Sequence, residues 1–160
     1  MDKRLTAIAN CAALTLIDPQ PIPAIADIGT DHGKLAVWLA KNHGCTVYAC
    51  DIASGPLSAC QQLVDISGVA DKVVPILCDG LSQIPSHVGT IVIAGLSGET
   101  IAGIIEKSPF SLSGKTLVLS PHSHEARLLG YLDDSGFVTL QRETVHSKSK
   151  SYIILMVRKP

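Results

Sequence analysis

Aspartates that follow apolar segments are the residues best placed to do chemistry in this sequence. Asp27 and Asp31 flank a glycine turn in "ADIGTDHG", and Asp51 comes 22 positions after Gly29. Asp79 follows a third apolar segment in "VVPILCDG". An acid about 20 residues after a glycine turn commonly accepts a hydrogen bond from a ribose hydroxyl. The spacing therefore predicts a nucleoside site in which Asp51 holds the ribose; the alternative is an ordinary surface aspartate after a strand.

Asp31 distinguishes between two kinds of nucleotide ligand. A dinucleotide lays its pyrophosphate on the start of the helix that follows such a turn. A carboxylate about 4 Å from a phosphate repels it by several kcal/mol at an intermediate dielectric. S-adenosylmethionine has no phosphate, and its sulfonium and ammonium groups are cationic, so the loop favours it over NAD. Asp31 is also a suitable N-cap for the helix that begins near Gly33, and the two roles are compatible.

Two further residues have both a functional and a structural interpretation. Asp79 can accept from an adenine amino group, or it forms a plain Asp-Gly turn with Gly80. A neutral His32 can contact the cofactor or the substrate, or it is solvated in the loop. A fourth apolar segment ends at Ala94 and Gly95, at the sheet edge where such a ligand is expected.

Apolar strand patterns alternate with helical patterns along the chain, which predicts a parallel sheet with right-handed crossovers. The predicted strands are 24–28, 46–50, 73–77, 91–94, 116–119, 137–144 and 152–158. The predicted helices are 2–17, 33–42, 54–67, 99–106 and 123–135, and the prolines in 18–23 end the first. Only a polar loop joins the last two strands, so they must pair antiparallel. The expected fold is an α/β, Rossmann-like class I methyltransferase domain over residues 1–160, with seven strands, an antiparallel last strand and helices on both faces.

Composition narrows the class of protein. The chain has 160 residues, 46% hydrophobic and 17% charged, which predicts one globular domain. The net charge of −1 provides no overall basic signal for nucleic acid. The five cysteines have no C-x-x-C spacing, so we expect buried thiols rather than disulfides or zinc ligands. No leader and no apolar run of ~18 residues is visible, so we expect a cytoplasmic protein without membrane spans.

Two polar segments have competing interpretations. His122, His124 and Glu125 in "PHSHE" could suggest a metal, but they lack a helical ligand pair and Ser123 is a plausible helix cap, so no metal is predicted. The segment "HSKSKS", together with arginines at 142 and 158, is either an RNA-contacting patch or a solvated hairpin loop.

Seven stretches carry a resemblance to a known family, in the family's order and over nearly the whole chain: "RLTAIA", "ADIGTDHGKLAVWL", "CDIASGPLSAC", "CDGL", "IAGLSGETIAGII", "LSPHSHEARLLGYL" and "ETVHSKSKSYIILMVRKP". They resemble the bacterial tRNA adenine-N1 methyltransferases that modify adenine 22 in the D-arm. The resemblance implies a seven-stranded Rossmann-like fold, S-adenosylmethionine as methyl donor and tRNA as partner.

The residues predicted to bind the cofactor are Asp27, Ile28, Gly29, Asp51, Ile52, Asp79, Gly80, Ala94 and Gly95. Asp31 and His32 are the predicted catalytic residues, and the resemblance places Asp31 near the methyl transfer as a base or orienting group. The residues predicted to contact the substrate are Arg4, Ser97, Pro121 and His122.

Three departures from the family pattern concern the substrate. Family members usually have Ala-Gly-Met-Gly-Gly where this chain has Ala-Gly-Leu-Ser-Gly at 94–98, and Gln-Pro-Asn where it has Ser-Pro-His at 120–122. They also continue into a helical extension, which we expect a chain ending at Pro160 to lack. Adenine N1 in tRNA is the expected methyl acceptor. A small molecule, another RNA, and a non-catalytic nucleoside-binding role are the alternatives, and a dimer through the first helix stays open.

Overall fold

A seven-stranded sheet lies at the centre of the part of the chain that this computed structural model describes, residues 1–17 and 23–160. The strands are β1 (Ala24–Ile28), β2 (Thr46–Asp51), β3 (Val73–Leu77), β4 (Thr90–Ala94), β5 (Thr116–Ser120), β6 (Val138–Ser147) and β7 (Lys150–Arg158). The helices are α1 (Lys3–Leu14), α2 (Lys34–His43), α3 (Ser54–Ser67), α4 (Gly98–Glu106) and α5 (Glu125–Asp134).

The strand order is β3-β2-β1-β4-β5-β7-β6. Strands β1 to β5 pair in parallel, whereas β7 is antiparallel to both β5 and β6. The predicted fold class is thereby confirmed. One domain over the whole of residues 1–160 stays a prediction.

Both faces of the sheet are covered, as unbroken apolar strands require. Side chains alternate between the faces along each strand. In β4, Val92 belongs to the apolar cluster that includes α1, α2 and α3, whereas Ile91 and Ile93 belong to the cluster that includes α4 and α5. All five cysteines are free and buried, as predicted.

Helix α1 is shorter than the predicted 2–17. Asp2 is its N-cap and accepts a hydrogen bond from Leu5 N at 2.8 Å. The helix ends at Leu14, and the Thr15 hydroxyl accepts from the hydroxyl of Thr90 at 2.8 Å, which ties the end of α1 to the start of β4. The predicted stop in 18–23 falls mainly on residues outside the described ranges.

The polar segment between the last two strands is not a loop, and that prediction is wrong. Strands β6 and β7 are joined by a two-residue turn at Lys148 and Ser149, with φ of 50° and 61°. Positive φ at both central residues gives a turn whose twist matches the strands. The segment is polar because β6 is an edge strand with exposed alternate residues.

Helix α5 begins without the predicted Ser123 cap. Its N-cap is His124, which has a φ of 52° and makes no side-chain cap. The chain before α5 runs against the start of α4: Gly98 N donates to Ser123 O at 2.8 Å, and a Cβ on Gly98 would overlap the His124 carbonyl. The start of α5 is therefore positioned by this backbone contact with α4 rather than by a side-chain cap.

None of the helices in the described ranges combines the length and apolar character that a bilayer crossing needs.

Candidate functional site

A cavity of about 560 Å³ opens at the carboxyl ends of β1, β2, β3 and β4. It lies where the strand order reverses between β1 and β4, the position at which ligands bind in open α/β sheets. Its volume is in the range of small-molecule sites. All nine residues predicted to bind a cofactor line the cavity, as do Asp31, His32 and Arg4.

The turn after β1 depends on two glycines. Gly29 has a φ of 73°, and Gly29 N and Thr30 N both donate to Cys50 O, at 2.9 and 2.8 Å. Gly33 has a φ of 77°, and a Cβ there would overlap the sulfur of Cys60 on α3. A side chain at position 33 would therefore be strained and would also collide with α3.

Asp31 is not the cap of α2, so that structural interpretation is wrong. The N-cap is Gly33, which has no side-chain cap. Asp31 has a φ of 55°, a left-handed conformation that aspartate adopts more readily than most residues. Its carboxylate is 70% exposed and lies 3.1 Å from Nδ1 of His32, which is 58% exposed. Both side chains are accessible to a substrate at the cavity.

Asp51 is held by the backbone on both of its oxygens. Oδ2 accepts from Asp31 N at 3.1 Å, and Oδ1 accepts from Ala53 N at 3.0 Å. The carboxylate is thus oriented at the end of β2 rather than free at the surface. Each oxygen can accept another hydrogen bond, which is the capacity that a ribose diol requires.

Asp27 is buried, with 4% of its surface exposed. Its Oδ2 accepts a hydrogen bond from the Thr30 hydroxyl at 2.8 Å. Burial raises the pKa of Asp27 from 3.8 to about 6; the Thr30 hydrogen bond opposes this rise and the Asp51 charge adds to it. Sequence reasoning missed Thr30. The available signal was a hydroxyl three residues after a buried acid in a tight turn.

Apolar side chains form another part of the wall of the cavity. Ile52 lines it with 70% of its surface exposed, which leaves a large apolar side chain available to pack on a ligand. Leu96 and Ile104 also line it and were not predicted. Leu96 follows Gly95 directly, so its proximity was available from the sequence. Ile104 carried no such signal, because it reaches the cavity only through the packing of α4.

Arg4 joins the first helix to the end of β5. Its Nη2 donates to Ser120 O at 3.0 Å and its Nε to Ser120 Oγ at 3.4 Å. The guanidinium carbon lies 4.6 Å from the centre of the Tyr152 ring. Partial burial lowers the pKa of Arg4 from its usual value.

The other residues predicted to contact the substrate adjoin the cavity without lining it. Ser97 is the N-cap of α4, and its hydroxyl accepts from Thr100 N at 3.1 Å. His122 N donates to Leu96 O at 3.0 Å while its side chain is exposed, and Pro121 is buried. Their contact with a substrate stays a prediction.

Within each of the two polar segments, the fold directs the residues to different partners. His124 lies 3.4 Å from Glu99, and Glu125 lies 3.5 Å from Arg142. No group of three or more potential metal ligands occurs within residues 1–17 and 23–160, and a protein without metal stays a prediction. Arg158 donates to Thr116 Oγ1, at the end of β7 away from the β6–β7 turn. The segment "HSKSKS", Arg142 and Arg158 therefore do not form one surface, which argues against the RNA-patch alternative.

Comparison with known proteins agrees with this geometry. Residues 1–155 match the family described as a methyltransferase domain. The chain belongs to this family. It is 30% identical over 135 residues to the tRNA (adenine(22)-N(1))-methyltransferase of Bacillus subtilis strain 168, an alignment covering 82% of this chain. The chain spans 57% of that relative's length.

Two solved structures extend the similarity to the fold. The B. subtilis M1A22 tRNA methyltransferase TrmK superposes with a TM-score of 0.86 and 26% identity, over 100% of this chain and 67% of that one. The putative tRNA (m1A22) methyltransferase Sp1610 of Streptococcus pneumoniae, in complex with S-adenosyl-L-methionine, has a TM-score of 0.89 and 27% identity, over 99% and 73%. The family resemblance predicted from the sequence is confirmed.

Proposed function

We propose that this methyltransferase-family chain transfers a methyl group from S-adenosylmethionine to N1 of an adenine in tRNA. The observation that carries the proposal is the convergence of Asp27, Asp31, Asp51 and Asp79 on one cavity at the switch in strand order. The curated relative at 30% identity is a tRNA adenine-N1 methyltransferase, and the pneumococcal structure contains the same cofactor, which supports the assignment.

The charge of the cavity fits this cofactor better than a dinucleotide. Among the described residues, five carboxylates line the cavity, the four above and that of Asp2, against two cations, Arg4 and Lys34. The excess of negative charge would stabilise sulfonium and ammonium groups, whereas it would repel a pyrophosphate. Asp51 would accept from the ribose hydroxyls, Asp79 from the adenine amino group, and Ile52 would pack on the adenine ring. When bound, S-adenosylmethionine supplies a methyl group that is electrophilic because it is attached to a positively charged sulfur.

Orientation is the main task of the protein in such a transfer. The lone pair of adenine N1 is already nucleophilic, so the site does not need to activate it. Holding the reacting atoms in line can lower the barrier by roughly 7–11 kcal/mol. An adenine within a duplex must first leave its stack, and it would then enter the cavity beside the exposed side chains of Asp31 and His32.

Asp31 is the proposed proton acceptor. Methylation at N1 leaves the base positively charged until a proton leaves its amino group. The Asp31 carboxylate would stabilise that charge and take the proton. His32 Nδ1, which lies 3.1 Å from Asp31 Oδ1, would orient the carboxylate.

The test is methyl transfer from labelled S-adenosylmethionine into unmodified bulk tRNA, followed by nucleoside analysis. We expect the label in 1-methyladenosine. Asp51→Asn should weaken cofactor binding by about 10- to 100-fold, the range for a hydrogen bond to a charged group. Asp71→Asn is the matched control, since Asp71 lies outside the cavity and its ion pair, with Lys72 at 4.0 Å, lies outside it as well. Label in another nucleoside, or cofactor binding without transfer, would contradict the proposed acceptor.

A further inference from the structure

Two cations lie against one aromatic ring beside the cavity. The guanidinium carbon of Arg4 is 4.6 Å from the centre of the Tyr152 ring, and Lys150 Nζ is 5.3 Å from it. We call these three residues the cationic cluster. Cations at such distances are attracted by the electrons of the ring, which also restricts where they lie.

The cationic cluster is attached to the carboxyl edge of the sheet. Leu119 of β5 pairs with Leu155 of β7, so Tyr152, three residues earlier in the antiparallel strand, lies beyond the end of β5. Lys150 Nζ donates to His122 O at 2.6 Å. Arg4 donates to Ser120 and also lines the cavity. The cluster therefore adjoins the cavity directly through Arg4.

In the described part of the chain, the cations of the cluster are not paired with a carboxylate. Within residues 1–17 and 23–160, neither Arg4 nor Lys150 forms an ion pair at 4.0 Å or less. The charge of Asp2 acts on Arg4, but one carboxylate oxygen of Asp2 accepts from Leu5 N. Both cations instead donate to main-chain carbonyls, and each retains N–H groups without a described partner. Two neighbouring positive charges with spare donors favour an anion between them.

Resting on the proposed function, we infer that Arg4 and Lys150 bind a backbone phosphate of the RNA strand whose target base enters the cavity. Tyr152 is the positioning residue, because its ring holds the two cations. Contacts to phosphates fix the register of a nucleic acid without reading its sequence. Here they would hold the phosphate beside the target nucleotide outside the cavity, where the carboxylates do not repel it. Only the target base would enter the cavity.

The test measures binding of unmodified bulk tRNA at a series of salt concentrations. Log affinity falls as log salt rises, and loss of one phosphate contact should make this negative slope shallower by about 0.7–0.9. Relative to 1 M salt, this corresponds to about five- to eightfold weaker binding at 0.1 M salt. We expect these changes for Lys150→Gln, with recovery in Lys150→Arg. Tyr152→Leu should weaken binding at least as much, whereas Tyr152→Phe should stay within about twofold of the wild type because the ring is retained.

The matched control is Lys159→Gln. Lys159 Nζ also lies over an aromatic ring, 5.8 Å from the centre of Phe137. Lys159 follows the last residue of β7, however, whereas Lys150 is the first residue of that strand, so the two lysines lie at opposite ends of it. It should leave both the affinity and the slope unchanged. An equal effect of Lys159→Gln and Lys150→Gln, an unchanged slope in Lys150→Gln, or failure of the wild type to bind tRNA would overturn the inference. Calorimetry with S-adenosylmethionine on the same proteins tests the cofactor assignment separately. If that assignment is wrong, the wild type and every variant should fail to bind the cofactor.

Discussion

The cavity and the cationic cluster position opposite charges by different means. Asp51 in the cavity is held by two main-chain N–H groups near strand ends, with partners no more than 20 residues away. In the cluster, Arg4 is held by Ser120, which is 116 residues away. The carboxylates thus belong to the parallel part of the sheet. The cationic cluster, in contrast, assembles only when the first helix packs against the last strand. Substitutions can test each side separately.

The largest effect is expected at the exposed carboxylate of the cavity. Asp31→Asn should lower the rate of methyl transfer by about 10²–10⁴-fold, the usual contribution of a general base. Affinity for the cofactor should fall by no more than about fivefold, because the charge of an exposed carboxylate contributes at most about 1 kcal/mol. Asparagine also tolerates the same left-handed backbone, and Asp51 is unaltered. Single-turnover transfer and calorimetry measure the two quantities. A variant that keeps wild-type turnover would exclude Asp31 as the proton acceptor.

The buried carboxylate should make the free protein less stable at neutral pH. Asp27 has a pKa raised from 3.8 to about 6, so the folded state binds its proton more tightly than the unfolded chain does. Its contribution to stability is therefore full below about pH 4 and is lost as the pH rises to about 6. The loss is about 2–3 kcal/mol.

Asp27→Asn should remove this dependence. The difference in unfolding free energy between the variant and the wild type should shift in favour of the variant between about pH 4 and pH 6. Urea unfolding at a series of pH values measures that difference, and other titrating groups cancel in it. A difference that does not change with pH would show that burial of Asp27 does not set its protonation.

The smallest effect is expected from alanine substitution in the glycine turn. It tests the packing of this turn against α3, which supports the carboxylates of the cavity. Gly33 and Gly44 have φ of 77° and 65°, so alanine strains both by a similar amount, about 1 kcal/mol. Only at Gly33 would the new Cβ meet another residue, Cys60. Gly33→Ala should therefore be less stable than Gly44→Ala by about 1–3 kcal/mol, the usual range for overpacking. Equal melting temperatures would contradict a close contact between the turn and α3.

The sequence was sufficient where a residue's position follows from its place along a strand. Asp27, Asp51 and Asp79 reach the cavity because parallel strands bring their carboxyl ends to one edge, and continuous apolar runs identified those strands. The antiparallel end of the sheet followed from the short connection before β7. These are local patterns combined with general rules of topology.

The sequence was insufficient where a position depends on packing between distant elements. Ile104 and the contact of Arg4 with Tyr152 require the placement of whole helices, which no local pattern specifies. The tight turn at Lys148 was taken for a loop because exposure of an edge strand and of a loop produce the same polar composition. Asp31 was assigned as a possible cap because aspartate is a preferred N-cap residue, and residue type alone does not distinguish a cap from a left-handed turn position.

The most direct test of the account is a paired calorimetric titration of the wild-type protein with S-adenosylmethionine and with NAD. The central claim is that the excess of carboxylates over cations makes the cavity selective for a cationic nucleoside. We expect binding of S-adenosylmethionine with a dissociation constant at least about 100-fold lower than that of NAD, a difference of about 2.7 kcal/mol. NAD binding of equal strength, or no binding of S-adenosylmethionine, would contradict it.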